Sequence, residues 1–347
     1  MEPSSVLNPL DTFNFRQMII DSPDQFRVGF EIAKGVHIPG SFKSVMISGM
    51  GGSALPGNIF RIYLNDLFRK DAGDEQPLAI YQNRSYTLPP EAFDNCLNFI
   101  CSYSGNTEET IASFEMALEH HLPCIGLSSG GKVEEICLAN DIPHIKLPVP
   151  FPGFQPRVGT GYFFGSMFQI LINLGLVRDT TEELLAEAEK IRQSLPDLEE
   201  QGKLLSKKLV GKTPVIYADT KYKSVAMVWK IKFNENAKTP AFWNFFPELN
   251  HNEMVGWTLP QGKFMILMLR DNDTHPRILK RLEVTAELLR GKGIEVEAID
   301  MVGTSVFEKI FGTILIADFA SYYLALEYGQ NPTPVDMVED LKERLVA

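Results

Sequence analysis

The chain has 347 residues, with 33 lysines and arginines against 44 aspartates and glutamates, a formal net charge of −11. That balance disfavours nucleic acid as a partner, because phosphate backbones select basic faces, but leaves room for a small anion held by local groups. The length predicts two domains, and a 44% hydrophobic fraction is ordinary for a globular chain.

The opening stretch, MEPSSVLNPLDTF, has neither a basic n-region nor an apolar h-region, so no signal peptide is predicted. Ser22, Pro23 and Gln25 read as a capping-box start for an N-terminal helix over 22–35. Strands and helices then alternate: strand 44–50, helix 54–68, strands 78–83 and 97–104, helix 107–121, strand 123–129, helix 132–140, strand 143–148. Strands separated by helices of this length predict βαβ units and a parallel sheet. Residues 158–177 carry no charge and could span a bilayer by length, but four glycines, Gln169 and Asn173 predict instead a helix buried between domains or subunits, with no membrane partner. Residues 181–195 and 198–209 read as a charged helical connector. After it the alternation restarts, with strand 213–219, helix 223–238, strand 263–270, helix 275–293 and strand 294–300, then a long helix to Gly329 opened by a capping box at Ser305 and Glu308. The expectation is an α/β protein of two domains, 1–195 with an N-terminal helical extension and 196–347 with a C-terminal tail. Cys96, Cys101, Cys124 and Cys137 form no C-x-x-C pair and lie in apolar or helical stretches, which predicts buried thiols in a reducing, cytoplasmic setting.

In open parallel sheets ligands sit at the carboxyl ends of strands. Two loops rich in glycine or hydroxyls fall there, SGMGGSALPG (48–57) and SYSGNTEET (102–110). The first matches G-x-G-x-x-A, but the next strand ends in Asn83 and Arg84 rather than the acidic residue that grips a ribose, and neither loop has the G-K-[ST] of a P-loop. A phosphate monoester without a nucleotide fits better. Helix-terminal amides and the hydroxyls of Ser102, Ser104 and Thr107 can hold it without a lysine, and Gly105 permits close backbone approach. The plainer reading is that Asn106 or Thr107 caps a helix, with Glu109 closing a box.

GMGGSA (49–54), SYSGNTEET, Pro156–Arg157, NEN (234–236) and FPELNHNEMVGW (246–257) together resemble the bifunctional phosphoglucose/phosphomannose isomerases of the sugar isomerase (SIS) superfamily. The serine-rich motif marks the superfamily, while the motif ending at Trp257 is specific to this branch. The resemblance implies two SIS domains, each a flavodoxin-like parallel sheet flanked by helices, in a homodimer with no metal and no organic cofactor. It implies that Ser102, Ser104 and Thr107 hold a sugar phosphate and that Gly51, Gly52 and Ser53 line the sugar. By the same resemblance Glu235 moves a proton between C2 and C1, and Arg157 stabilises the enediolate. His251 helps open the ring, reaching in from the other subunit, and Lys342 assists.

The residue types suit that chemistry. Aldose–ketose isomerisation needs a carboxylate that takes a proton beside a carbonyl and returns it to the neighbouring carbon. The charge that develops on oxygen calls for a fixed cation, which arginine supplies. Ring opening needs a group that trades protons near neutrality, as histidine does. Metal-dependent isomerases need clustered histidines and carboxylates, whereas the six histidines here are scattered, with no H-E-x-x-H. Chemistry alone leaves Glu248 and Glu253 as rival bases, and Arg344 or a solvated helix face as alternatives at Lys342. The aromatic run around His251 reads as interdomain core. If the carried-over residues converge, they do so in a cleft between the domains. A phosphosugar sensor would keep the hydroxyls without needing Glu235, His251 and Arg157 together. An amino-sugar-phosphate enzyme of the same superfamily is the other alternative.

Overall fold

The computed structural model describes residues 8–70 and 78–346. Residues 1–7, the start of the stretch read for a leader, lie outside them. The chain forms two compact units, Asp21–Arg192 and Met1–Ile20 together with Gln193–Ala347. Helix α1 (Phe15–Ile20), expected as part of an extension of the first domain, therefore belongs with the second half. It buries Phe15, Met18 and Ile19 there. Arg16 also donates to both carboxylate oxygens of Glu199, at 2.6 and 2.7 Å.

The unit Asp21–Arg192 begins with a 3-10 turn and α2 (Gln25–Ala33). Gln25, read as closing a capping box, ties α2 to the start of α6: its side-chain amide donates to the Val158 carbonyl at 2.7 Å and accepts from the Gly161 amide at 3.1 Å. Then come β1 (Ser44–Ser48), α3 (Gly51–Lys70), β2 (Ala79–Asn83), β3 (Cys96–Cys101), α4 (Glu108–Glu119), β4 (Cys124–Ser128), α5 (Gly131–Ala139), β5 (His144–Lys146), α6 (Thr160–Asn173) and α7 (Thr181–Gln193). The five strands are parallel, in the order β2-β1-β3-β4-β5. This is the flavodoxin-like order, whose topological switch lies between β1 and β3. Strands β1, β3 and β4 are buried throughout, as both-sided burial of a parallel sheet requires.

The uncharged segment forms α6, which is buried within this unit against α2 and α3. Its glycines serve that packing: a Cβ at Gly165 would lie 2.6 Å from the Phe26 carbonyl oxygen, so only glycine lets α2 and α6 touch backbone to backbone. Phe60, Phe164 and Phe168 fill the α3–α6 contact edge to face.

The second unit continues with α8 (Leu195–Leu209), β6 (Thr213–Asp219), α9 (Lys223–Asn236), β7 (Phe242–Phe246), α10 (Glu253–Gly256), β8 (Phe264–Arg270), α11 (Pro276–Gly291), β9 (Glu295–Asp300), α12 (Val306–Glu327) and α13 (Asp336–Val346). Its four strands are parallel, in the order β7-β6-β8-β9, with the switch between β6 and β8. Strand β7 comes from the aromatic run expected to be interdomain core; it is an edge strand, with Phe246 buried and Phe242 exposed. Helix α8, read as a connector, is a packed element: it buries Leu198, Leu205 and Leu209, and a Cβ at Gly202 would stand 2.5 Å from that of Phe319 on α12. Helix α12 is long and apolar enough to cross a membrane, yet 83% of its apolar window is buried inside the protein. It starts at the expected cap, the Glu308 amide donating to Ser305 Oγ at 3.0 Å.

Candidate functional site

The switch point of the first unit carries the two motif loops. The loop after β3 runs from Ser102, fully buried, to Thr107, the residue before α4. Ser102 Oγ lies 2.8 Å from Thr107 Oγ1, so two of the three hydroxyls meet at the helix mouth. Neither plain capping candidate caps: Thr107 makes no side-chain cap bond, and Asn106 Oδ1 accepts from the Lys132 amide at 3.0 Å. The first-turn amides of α4 thus have neither an intrahelical acceptor nor a side-chain cap, the arrangement that receives an anion. Ser104, the third hydroxyl, is exposed and accepts from the Asn106 amide at 3.3 Å.

Gly105 has a φ of +73°, and a Cβ there would fall 1.7 Å from the Gly130 carbonyl oxygen. Its lack of a side chain is used by the neighbouring loop, an approach the sequence reading had assigned to the ligand.

The loop after β1 joins this one. Ser53, buried in the first turn of α3, accepts from the Tyr103 amide through Oγ at 2.9 Å. Gly52 meets the turn before α6: a Cβ there would lie 2.6 Å from the Arg157 amide nitrogen. Arg157 is 1% exposed, and its guanidinium donates to Gln155 Oε1 at 2.8 Å. Gly52, Ser53, the 102–107 loop and Arg157, separated in sequence, are therefore adjacent in this unit.

The remaining predicted residues belong to the second unit. Glu235 is half-buried in the last turn of α9. That turn is pinned to α12 by Asn236, which donates to Ser321 Oγ at 2.9 Å, and by the buried Lys232–Asp318 ion pair at 2.7 Å. The rival carboxylates have other partners. Glu253 accepts from the Tyr217 hydroxyl at 2.5 Å and from the Asn244 amide. Burial, first, and the Glu253 bond push the Tyr217 phenol well above its ordinary range. Glu248 is exposed and accepts from Asn252 at 2.7 Å. His251 ends the 3-10 turn Glu248–His251; it is exposed, and its ring has no hydrogen-bond partner among the described residues. Lys342 lies on exposed α13 and pairs with Glu339 at 2.7 Å. Among the described residues no three His, Cys, Asp or Glu side chains gather in a group suited to a metal ion.

Sequence reasoning passed over the loop after β4. Ser129 donates through both its amide and its hydroxyl to the Tyr103 carbonyl, at 2.8 and 2.6 Å, and the Val133 amide donates to the Gly105 carbonyl at 3.0 Å. Its signal was present: Ser129, Gly130 and Gly131 follow Ser128, the end of a strand, at the same sheet edge as the other two loops.

Two flavodoxin-like units, one carrying a hydroxyl-and-glycine loop at its switch point, define a two-domain sugar isomerase (SIS) fold. The tagatose-6-phosphate ketose/aldose isomerase from Escherichia coli shares that fold, with a TM-score of 0.69 at 13% identity over 92% of this chain and 94% of that one. Residues 198–345 match the bacterial phospho-glucose isomerase C-terminal SIS domain. The chain is 33% identical to the bifunctional phosphoglucose/phosphomannose isomerase of Caldicellulosiruptor bescii, over 95% of this chain and 98% of that protein. It is 31% identical to the protein of the same name from Aquifex aeolicus, over 88% and 91%. The chain belongs to the bifunctional phosphoglucose/phosphomannose isomerase family.

Proposed function

We propose that this protein is a sugar-phosphate isomerase that interconverts glucose 6-phosphate, and mannose 6-phosphate, with fructose 6-phosphate through a cis-enediolate, without a metal or organic cofactor. The observation that carries the reading is the 102–107 loop, where a buried Ser102 hydroxyl meets Thr107 at a helix mouth that no side chain caps. In this reading the phosphate takes the hydroxyls of Ser102, Ser104 and Thr107 and the first amides of α4. Gly51, Gly52 and Ser53 line the sugar. His251 of one subunit of a homodimer opens the ring in the other, with help from Lys342, and its exposure, with no hydrogen-bond partner among the described residues, supports that role. Glu235 then shuttles the proton between C2 and C1 while Arg157 steadies the enediolate oxygen. Among Glu235, Glu248 and Glu253, the family resemblance selects Glu235 as the base. Both epimers use one base if the open chain rotates about C2–C3. The cytoplasm suits four buried, free thiols.

Incubation of the purified protein with fructose 6-phosphate in EDTA tests the proposal. Both aldose phosphates should form. Loss of turnover on chelation contradicts the metal-free claim, and tight binding without turnover makes the protein a sensor.

A further inference from the structure

The hydroxyl of Ser128, the last residue of β4, is fully buried and has two neighbours, the Gly130 carbonyl at 2.8 Å and His144 Nε2 at 2.8 Å. A hydroxyl has one proton. If it goes to Gly130, His144 must donate through Nε2, and in a neutral ring that leaves Nδ1 bare. The surroundings fit. Among the described residues the carboxylate facing Nδ1 is Glu134 of α5, at 3.9 Å, beyond hydrogen-bonding distance, and Glu134 is already paired with Lys146 of β5 at 2.5 Å.

The Gly130 carbonyl held this way is the group that abuts Gly105. Beside it a Cβ at Gly131 would lie 2.5 Å from the Ser104 carbonyl oxygen. Moving Gly130 would therefore displace the two residues between Ser102 and Thr107 that set the spacing of the hydroxyls. We propose that Ser128 and His144 are positioning residues for the phosphate site: the chain His144 Nε2–Ser128 Oγ–Gly130 O seats the 128–132 loop against Gly105 and holds Ser102, Ser104 and Thr107 at the spacing a phosphate monoester needs. The inference rests on the phosphate reading of the 102–107 loop.

The test is steady-state isomerisation of fructose 6-phosphate by the full-length protein, with inorganic phosphate as competitive inhibitor. Wild type, Ser102→Ala, Ser128→Ala, His144→Ala, His144→Gln and His144→Asn are compared, each checked for folding by thermal denaturation. Ser128→Ala and His144→Ala should raise KM and the phosphate inhibition constant by the same factor, about three- to tenfold, with kcat within about twofold of wild type. His144→Gln, whose amide nitrogen can take the place of Nε2, should restore both constants; His144→Asn, whose nitrogen falls nearer Nδ1, should not. If the alanine variants do not fold, the Gln–Asn contrast decides. Unchanged constants in folded Ser128→Ala, or equal losses in His144→Gln and His144→Asn, overturn the inference while a raised KM in Ser102→Ala leaves the phosphate reading standing. Constants unchanged in Ser102→Ala overturn that reading, and this inference with it.

Discussion

The two units place the same architectural feature, the switch point of a parallel sheet, under opposite electrostatic conditions. In Asp21–Arg192 the strands beside the switch, β1 and β3, lead into glycines, Ser53 and the 102–107 hydroxyls, with no carboxylate among the motif residues before Glu108. In the second unit the corresponding strands, β6 and β8, lead into Asp219 and Asp271. Asp271 takes hydrogen bonds from Lys309 at 2.7 Å and from the Tyr222 hydroxyl at 2.9 Å, while Lys309 also reaches Asp273 at 2.5 Å and Thr274 donates to Asp219. Burial pushes the Asp271 carboxyl up, but hydrogen bonds from Lys309, the Asp273 amide and the Tyr222 hydroxyl together hold it below its usual range. A phosphate arriving there would meet carboxylates whose cation is already engaged. On the proposed reading, fold alone does not make an anion site; the identities of a few residues after two strands decide it.

Four measurements sharpen or break that contrast. The largest effect is expected at Glu235: Glu235→Gln should lower kcat about 10³-fold while leaving inhibition by inorganic phosphate unchanged, because the proposed base and the proposed phosphate loop belong to different units. Retained turnover would move the base to Glu248 or Glu253. Asp271→Ala should cost about 3 kcal/mol in urea denaturation, since it deprives a largely buried Lys309 of one of its two carboxylates, yet leave KM for fructose 6-phosphate unchanged. Ser102→Ala should do the reverse, raising KM about tenfold or more with little loss of stability, because it removes a donor to a charged ligand. If the Asp271 variant raises KM and the Ser102 variant does not, the assignment of the two edges is inverted.

The smallest effect concerns pH. Burial lowers the pKa of His144 below its ordinary value, Glu134 opposing and Lys146 reinforcing the shift; the Cys137 thiol nearby is itself pushed up by burial. A histidine held neutral in the folded state binds protons more weakly than in the unfolded chain. Its contribution is therefore fully present above about pH 6.5 and lost as pH falls through the lowered folded value. Denaturation midpoints should fall over that acid window in wild type and fall less steeply in His144→Gln.

Much of this was legible in the chain. The strand–helix alternation gave a parallel α/β architecture because buried parallel strands read as short apolar runs. The hydroxyls after β3 stood out because Gly105 and the serines follow directly on such a run. What escaped was decided by long-range packing. Helix α1 joins the second unit through Arg16 and Glu199, 183 positions apart. Gln25 looked like a cap and instead ties α2 to the start of α6. Strand β7 was hidden by an aromatic run without alternation, although β6 pairs with it throughout. The role of Gly130 could not be read locally, because it consists of contact with Gly105.

The most direct test is a crystal structure of the Glu235→Gln protein with fructose 6-phosphate bound. The phosphate should sit within about 3 Å of the Ser102, Ser104 and Thr107 hydroxyls, with the side chain of residue 235 at about 3 Å from the C1–C2 pair in at least one subunit. A phosphate bound at the edge formed by Asp219 and Asp271, or a residue 235 remote from the sugar in every subunit, would contradict the account.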